Sequence, residues 1–127
     1  MTVSEVQTKA TSITANELYA KLLKNEPSFI LDVRNEEDFK RWRVEGRAAL
    51  EVMNLPYYDF IEDEDAAVAR VPKDREILAI CAKEGASQYV ADILTERGMS
   101  ASYLQGGITT WGNYYHVRDV VNESYGR

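Results

Sequence analysis

The chain contains one cysteine, Cys81, and the segment it opens, Cys81-Ala82-Lys83-Glu84-Gly85-Ala86-Ser87, holds the residue types best suited to chemistry. A thiolate is a strong nucleophile, and how readily it forms depends on what surrounds the sulfur. Ala82, Gly85 and Ala86 are small, so the backbone N–H groups of this loop can curl around one point and, where a helix begins, cradle an anion. Ser87 closes the segment with a hydroxyl. Lys83 brings a cation two residues from the sulfur, and Glu84 brings a carboxylate that offsets it, an arrangement that disfavours a doubly charged reactant. A cysteine after an apolar run is also a common inert packing residue. Position alone leaves both readings open.

The elements around the loop favour a reactive position. Ile77-Leu78-Ala79-Ile80 is a continuous apolar run and reads as a central strand, with Cys81 at its carboxyl end. Ligands of open α/β sheets bind beyond such strand ends. A helix is predicted over residues 87–97, from the spacing of Val90, Ile93, Leu94 and Arg97, with Gly98 just past its end. Upstream, Thr14-Ala15-Asn16-Glu17 has capping-box spacing and opens a helix over 15–24. Phe29–Val33 reads as a buried strand, Asn35–Trp42 as a short helix, and Val52–Pro56 as a second strand closed by its proline. Glu62-Asp63-Glu64-Asp65 is expected to be a solvated face without a functional role, and Pro72–Arg75 a turn. Ala101–Leu104 is a last strand, after which Gly106-Gly107 turns the chain into a helical segment carrying Trp111 into the core. Strands alternating with helices predict an α/β fold, with a mainly parallel sheet covered by helices on both faces.

Composition narrows the function classes. The length of 127 residues suits one compact domain, and 45% apolar with 28% charged residues is ordinary for a soluble globular chain. With 21 acidic against 15 basic side chains the net charge is −6, and no Lys/Arg cluster stands out, so neither nucleic acid nor an anionic membrane is an expected partner. A single cysteine forms no intrachain disulfide, which points to a reducing cytoplasm. A single histidine, His116, leaves no imidazole cluster for zinc or non-haem iron; it reads as a surface side chain, and neither metal nor cofactor is expected. Neither a signal peptide nor a membrane anchor is predicted. The organisation expected is a flexible leader over 1–12, one domain over 13–116 and a tail over 117–127.

Four local patterns, in this order, resemble the rhodanese-like domain family from about Thr14 to Gly112. They are Leu31-Asp32-Val33-Arg34 after a strand; Phe39-x-x-Trp42-Arg43-Val44-x-Gly46 leading to Asn54-Leu55-Pro56; the Cys81 loop; and Leu104-x-Gly106-Gly107-x-x-x-Trp111. The resemblance implies a five-stranded parallel sheet flanked by helices, and a Cys81 that accepts a sulfane sulfur as a persulfide and passes it to a second nucleophile. Cys81 would then be the catalytic residue, and Ala82, Lys83, Glu84, Gly85, Ala86 and Ser87 the substrate-binding loop. Asp32, Arg34 and Arg43 would support the site, the first two by pairing around the loop.

Two departures from the family pattern bear on the donor. An arginine is common in the family just before the final Ser/Thr of the loop, where this chain has Ala86. Thiosulfate, a dianion, then lacks a cation that would hold it. Arg43 replaces the usual histidine after the first helix, which keeps a positive charge but removes a group that titrates near neutrality. The expected partners are therefore a small sulfur donor, thiosulfate or a low-molecular-weight persulfide, and a thiol acceptor. The loop, the Asp59-Phe60-Ile61 segment and the Trp-x-x-Tyr-Tyr pattern are also similar to rhodanese domains attached to metallo-β-lactamase-fold proteins, often persulfide dioxygenases, which implies such a partner domain. A non-catalytic regulatory or docking module is the alternative, supported by the missing arginine. A phosphatase of related fold would need a longer loop ending in arginine, and Ser87 stands in that place.

Overall fold

The computed structural model describes residues 9–44 and 50–109. Gly46, Trp111, His116, residues 1–8 of the expected leader and the expected tail over 117–127 lie outside them. The strands β1 (Thr11–Ile13), β2 (Ser28–Asp32), β3 (Leu50–Asn54), β4 (Ile77–Ile80) and β5 (Ala101–Leu104) form one sheet in the order β1-β5-β4-β2-β3. Every neighbouring pair runs parallel.

Side chains alternate across each strand and so feed two cores. On one face Phe29, Leu31 and Val33 pack with Ile77 and Cys81 against Phe60, Val68, Val90, Ile93 and Leu94. On the other, Ile30, Leu78 and Ile80 pack against Leu18, Leu22 and Val44. Helices therefore cover both faces. Leu18 and Leu22 are almost wholly buried, each contributing about 2 kcal/mol through the apolar area it removes from water. They belong to α1 (Ala15–Leu23), whose capping box is present: Glu17 N–H donates to Thr14 Oγ1 at 3.1 Å and Thr14 N–H to Glu17 Oε1 at 2.7 Å.

Several boundaries differ from the sequence expectation for identifiable reasons. Thr11 and Ser12 belong to β1 and not to a frayed leader, because the edge of the sheet offers them parallel pairing with Ser102 and Tyr103 of β5. β3 starts two residues earlier than expected, where Leu50 pairs with Ser28; Pro56 does not close the strand but precedes α3 (Tyr57–Glu62), where its missing N–H costs nothing. The helix α2 (Glu36–Arg41) is capped by Asn35, which accepts from Asp38 N–H at 2.7 Å. The acidic block does more than meet solvent. Asp63 caps α4 (Glu64–Ala69) by accepting from Ala66 N–H, while Glu64 and Asp65 bind Arg97 at 2.8 and 2.6 Å. Asp65 and then Glu64 push the Arg97 pKa upward through these hydrogen bonds. The helix α5 (Gly85–Glu96) begins two residues earlier than predicted, inside the cysteine loop, and the chain is helical again over 107–109.

Candidate active site

Cys81 follows β4 directly, at the carboxyl end of the central strand, and is 5% exposed. Strand polarity and helix start together place its sulfur. The four residues of β4 are all buried, so the strand is fixed from both faces. Only Ala82, Lys83 and Glu84 separate Cys81 from α5.

Ser87, itself wholly buried, is the residue that meets the sulfur. Its backbone N–H donates to Cys81 Sγ at 3.3 Å, and its Oγ accepts from the thiol at 3.3 Å. The Ser87 hydroxyl donates in turn to the Glu84 carbonyl at 3.1 Å. A hydroxyl rotates freely, so a sulfur that has lost its proton can receive the Ser87 O–H as well as the N–H. In contrast, the N–H groups of Ala82, Lys83, Glu84, Gly85 and Ala86 have no backbone acceptor among the described residues. They are the donors available to an anion at the start of α5.

The loop is fastened from the far side by the turn after β5. Ile108 N–H donates to Cys81 O and Thr109 N–H to Ala82 O, both at 2.9 Å. Gly106 N–H donates to Glu84 Oε1 at 2.8 Å. Gly107 has φ +65°, and a Cβ there would stand 1.8 Å from Lys83 O, so only glycine allows this approach. Gly106 and Gly107 form the permissive turn expected from the sequence, with positive φ at both, and the turn also contacts the cysteine loop. Nothing in the spacing of Glu84 and Gly106 announces that contact.

The remaining predicted residues fall into two places. Asp32, 1% exposed, and Arg34 pair at 2.8 Å at the end of β2, next to β4; Asp32 Oδ1 also accepts from Arg34 N–H at 3.1 Å. Arg34 Nη2 continues to Trp42 O at 2.6 Å, and Asn54 Nδ2 donates to the carbonyls of Asp32 and Arg34 at 2.9 and 3.0 Å. This network ties the ends of β2 and β3 to the segment after α2. Arg43 lies over the Phe39 ring at 4.8 Å and donates to Phe39 O at 3.1 Å. In the loop itself Lys83 is exposed, Glu84 is half-buried, and Ala86 packs on the core at the place where a loop arginine would stand. Among the described residues no three His, Cys, Asp or Glu side chains converge as a metal site requires, and no helix is long and apolar enough to cross a membrane.

A parallel five-stranded sheet with a cysteine loop at the carboxyl end of its central strand defines the class of fold. The rhodanese-like domain family model matches residues 14–114, and the chain belongs to that family. Among solved structures, a Staphylococcus saprophyticus protein is 23% identical with a TM-score of 0.67, over 82% of this chain and 95% of that one. The Staphylococcus aureus rhodanese-like domain protein is 29% identical with a TM-score of 0.63, over 80% and 91% of the two chains. A NAD-dependent persulfide reductase from A. fulgidus is 29% identical with a TM-score of 0.57; the match covers 80% of this chain and 16% of that much longer one. No curated protein matches significantly.

Proposed function

We propose that this chain is a sulfurtransferase in which Cys81 carries sulfane sulfur from a thiosulfate- or persulfide-type donor to a thiol acceptor. The observation that carries the reading is the Ser87 N–H and hydroxyl at 3.3 Å from a cysteine at the carboxyl end of the central strand. In the first step the Cys81 thiolate attacks the outer sulfur of the donor. The donor S–S bond breaks, its electron pair leaves with the remaining thiolate or sulfite, and a Cys81 persulfide forms. The acceptor thiolate then attacks the terminal sulfur of that persulfide, and Cys81 departs as thiolate. Sulfur moves without any external oxidant, and dividing the exchange into two displacements is the benefit of a covalent carrier.

Within this reading Ala82 to Ala86 supply backbone donors to the anionic end of the donor, and Ser87 follows the charge on sulfur. Ala86 supplies no cation, which favours a persulfide over thiosulfate. The likeness to a persulfide reductase segment supports the same donor class. A metallo-β-lactamase-fold partner that consumes persulfide fits the proposal, as does a reducing compartment such as the cytoplasm, which keeps the thiol free.

The test is incubation with thiosulfate, glutathione persulfide and 3-mercaptopyruvate separately, with intact mass reading the adduct. Gain of one sulfur atom on Cys81, returned to zero by a thiol, is the expected result. If no donor loads Cys81, the chain is instead a regulatory or docking module, the reading that Ala86 favours.

A further inference from the structure

Of the ties between the turn after β5 and the cysteine loop, three are made by backbone: the Ile108 and Thr109 hydrogen bonds and the close approach of Gly107 to Lys83 O. Among the described residues a fourth tie uses a side chain, the Glu84 carboxylate that accepts from Gly106 N–H at 2.8 Å. Glu84 is the N-cap of α5, with φ −160° and ψ −23°, yet its side chain makes no capping bond to its own helix. An N-cap aspartate ordinarily turns inward to the orphan N–H groups of its first turn, and glutamate carries one methylene more. Here it reaches across to another loop and leaves those N–H groups unclaimed.

The Glu84 backbone sits at the other end of the same chain of bonds. Its carbonyl accepts from Ser87 Oγ at 3.1 Å and from Gln88 N–H at 2.9 Å, and Ser87 in turn holds the Cys81 sulfur through N–H and hydroxyl. We propose that Glu84 is a positioning residue: its carboxylate latches the cysteine loop to Gly106, which fixes Ser87 on Cys81 Sγ and keeps the α5 N–H groups open for the donor. The proposal rests on the sulfurtransferase reading for its catalytic consequence but not for its structural one. A freed Glu84 carboxylate would stand at the start of α5, where the helix dipole attracts negative charge and the donor should bind.

The experiment compares Glu84→Ala, Glu84→Asp and Glu84→Gln with the parent protein. It reads Gly106 amide hydrogen exchange, the rate of Cys81 alkylation by the neutral reagent iodoacetamide, and kcat and KM for persulfide transfer. Glu84→Asp keeps the charge but is one methylene too short for the latch, whereas Glu84→Gln keeps an acceptor at full reach. Glu84→Ala and Glu84→Asp are expected to speed Gly106 exchange by about tenfold, in line with losing a bond to a charged group. Both are also expected to change the alkylation rate and to lower kcat more than KM. Glu84→Gln is expected to restore Gly106 protection and most of kcat. Unchanged Gly106 exchange in both Glu84→Ala and Glu84→Asp overturns the latch, as does an unchanged alkylation rate. A Glu84→Asp that matches the parent while Glu84→Gln does not also overturns the latch, because charge without reach would then suffice. Absence of sulfur transfer from every protein, the parent included, would sink the enzymatic reading while the exchange and alkylation data still decide the latch.

Discussion

At the carboxyl end of the sheet one buried sulfur is held by a short loop through the N–H and hydroxyl of Ser87, whereas at the amino end a cavity of about 450 Å3 opens among Lys21, Glu51, Asp74, Arg75 and Glu76. The charges that line the amino-end cavity are spent on one another. Arg75 pairs with Glu51 and Asp74 and lies over the Phe29 ring at 5.4 Å, and Lys21 meets Glu76 at 3.8 Å. These side chains are largely exposed, so solvent competes for every pair. Among the described residues no cysteine or histidine lines that end. The two ends differ in kind: at the carboxyl end a buried cysteine lies beside N–H groups that have no backbone acceptor among the described residues, and at the amino end exposed ion pairs line the cavity.

The strongest way to break this comparison is Cys81→Ser. If the covalent reading is right, sulfur transfer falls by about a thousandfold or more with every donor, because an alkoxide-poor hydroxyl cannot carry sulfane sulfur. Thermal unfolding should change little, since Ser fills nearly the same volume. Retention of near-parental transfer would move the reaction away from the carboxyl end altogether.

Gly107→Ala tests how tightly that end is built. The added Cβ would fall 1.8 Å from Lys83 O at φ +65°, so either the loop or the turn must move. The expected cost is at least about 2 kcal/mol, a Tm lower by roughly 8 °C or more, together with loss of Cys81 reactivity. A variant as stable and as active as the parent would mean that the loop tolerates displacement and that its backbone ties do not hold the site.

How much of this was legible in the sequence follows from the range of each interaction. β2, β4 and β5 and the two core-facing stripes of α1 and α5 were readable because their signals are local runs and periodicities. β1 was not, since three residues with one apolar side chain carry little signal and their partners in β5 lie some ninety positions on. Acidic residues hid α3 and α4, whose buried members are Phe60, Ala67 and Val68. The place of Cys81 at the carboxyl end of β4 was legible from the apolar run before it, whereas the Ser87 hydrogen bonds to its sulfur depend on where α5 begins. The bond of the Glu84 carboxylate to Gly106 was not legible, because it joins residues 22 apart that only folding brings together.

Lys83→Met sharpens the comparison at the carboxyl end by asking whether backbone donors suffice. Lys83 is exposed and lies two residues from the sulfur. Its removal is expected to lower kcat/KM for thiosulfate by about two- to fivefold at low ionic strength, an effect typical of one exposed charge. The loss should shrink as salt rises, because the Debye length falls to about 8 Å at 0.15 M. Ala86→Arg should raise thiosulfate turnover. An unchanged Lys83→Met at every salt concentration leaves the N–H groups as the sole anion donors.

The smallest effect is expected at the amino end, from Arg75→Ala. Its partner Glu51 has a side chain 64% exposed and its own is 39% exposed, so water replaces the lost pair at little cost. What remains is the packing of the guanidinium on Phe29, an interaction of about 0.5–1 kcal/mol at an exposed site. Stability should therefore fall by no more than about 1 kcal/mol, a Tm shift of a few degrees. Persulfide loading of Cys81 should stay at the parental rate, since the strand that joins the two ends is buried throughout and its pairing with β2 and β5 does not involve Arg75. A severalfold drop in loading without a matching loss of stability would show that the amino-end cavity communicates with the sulfur, and the contrast between the two ends would then have to be redrawn.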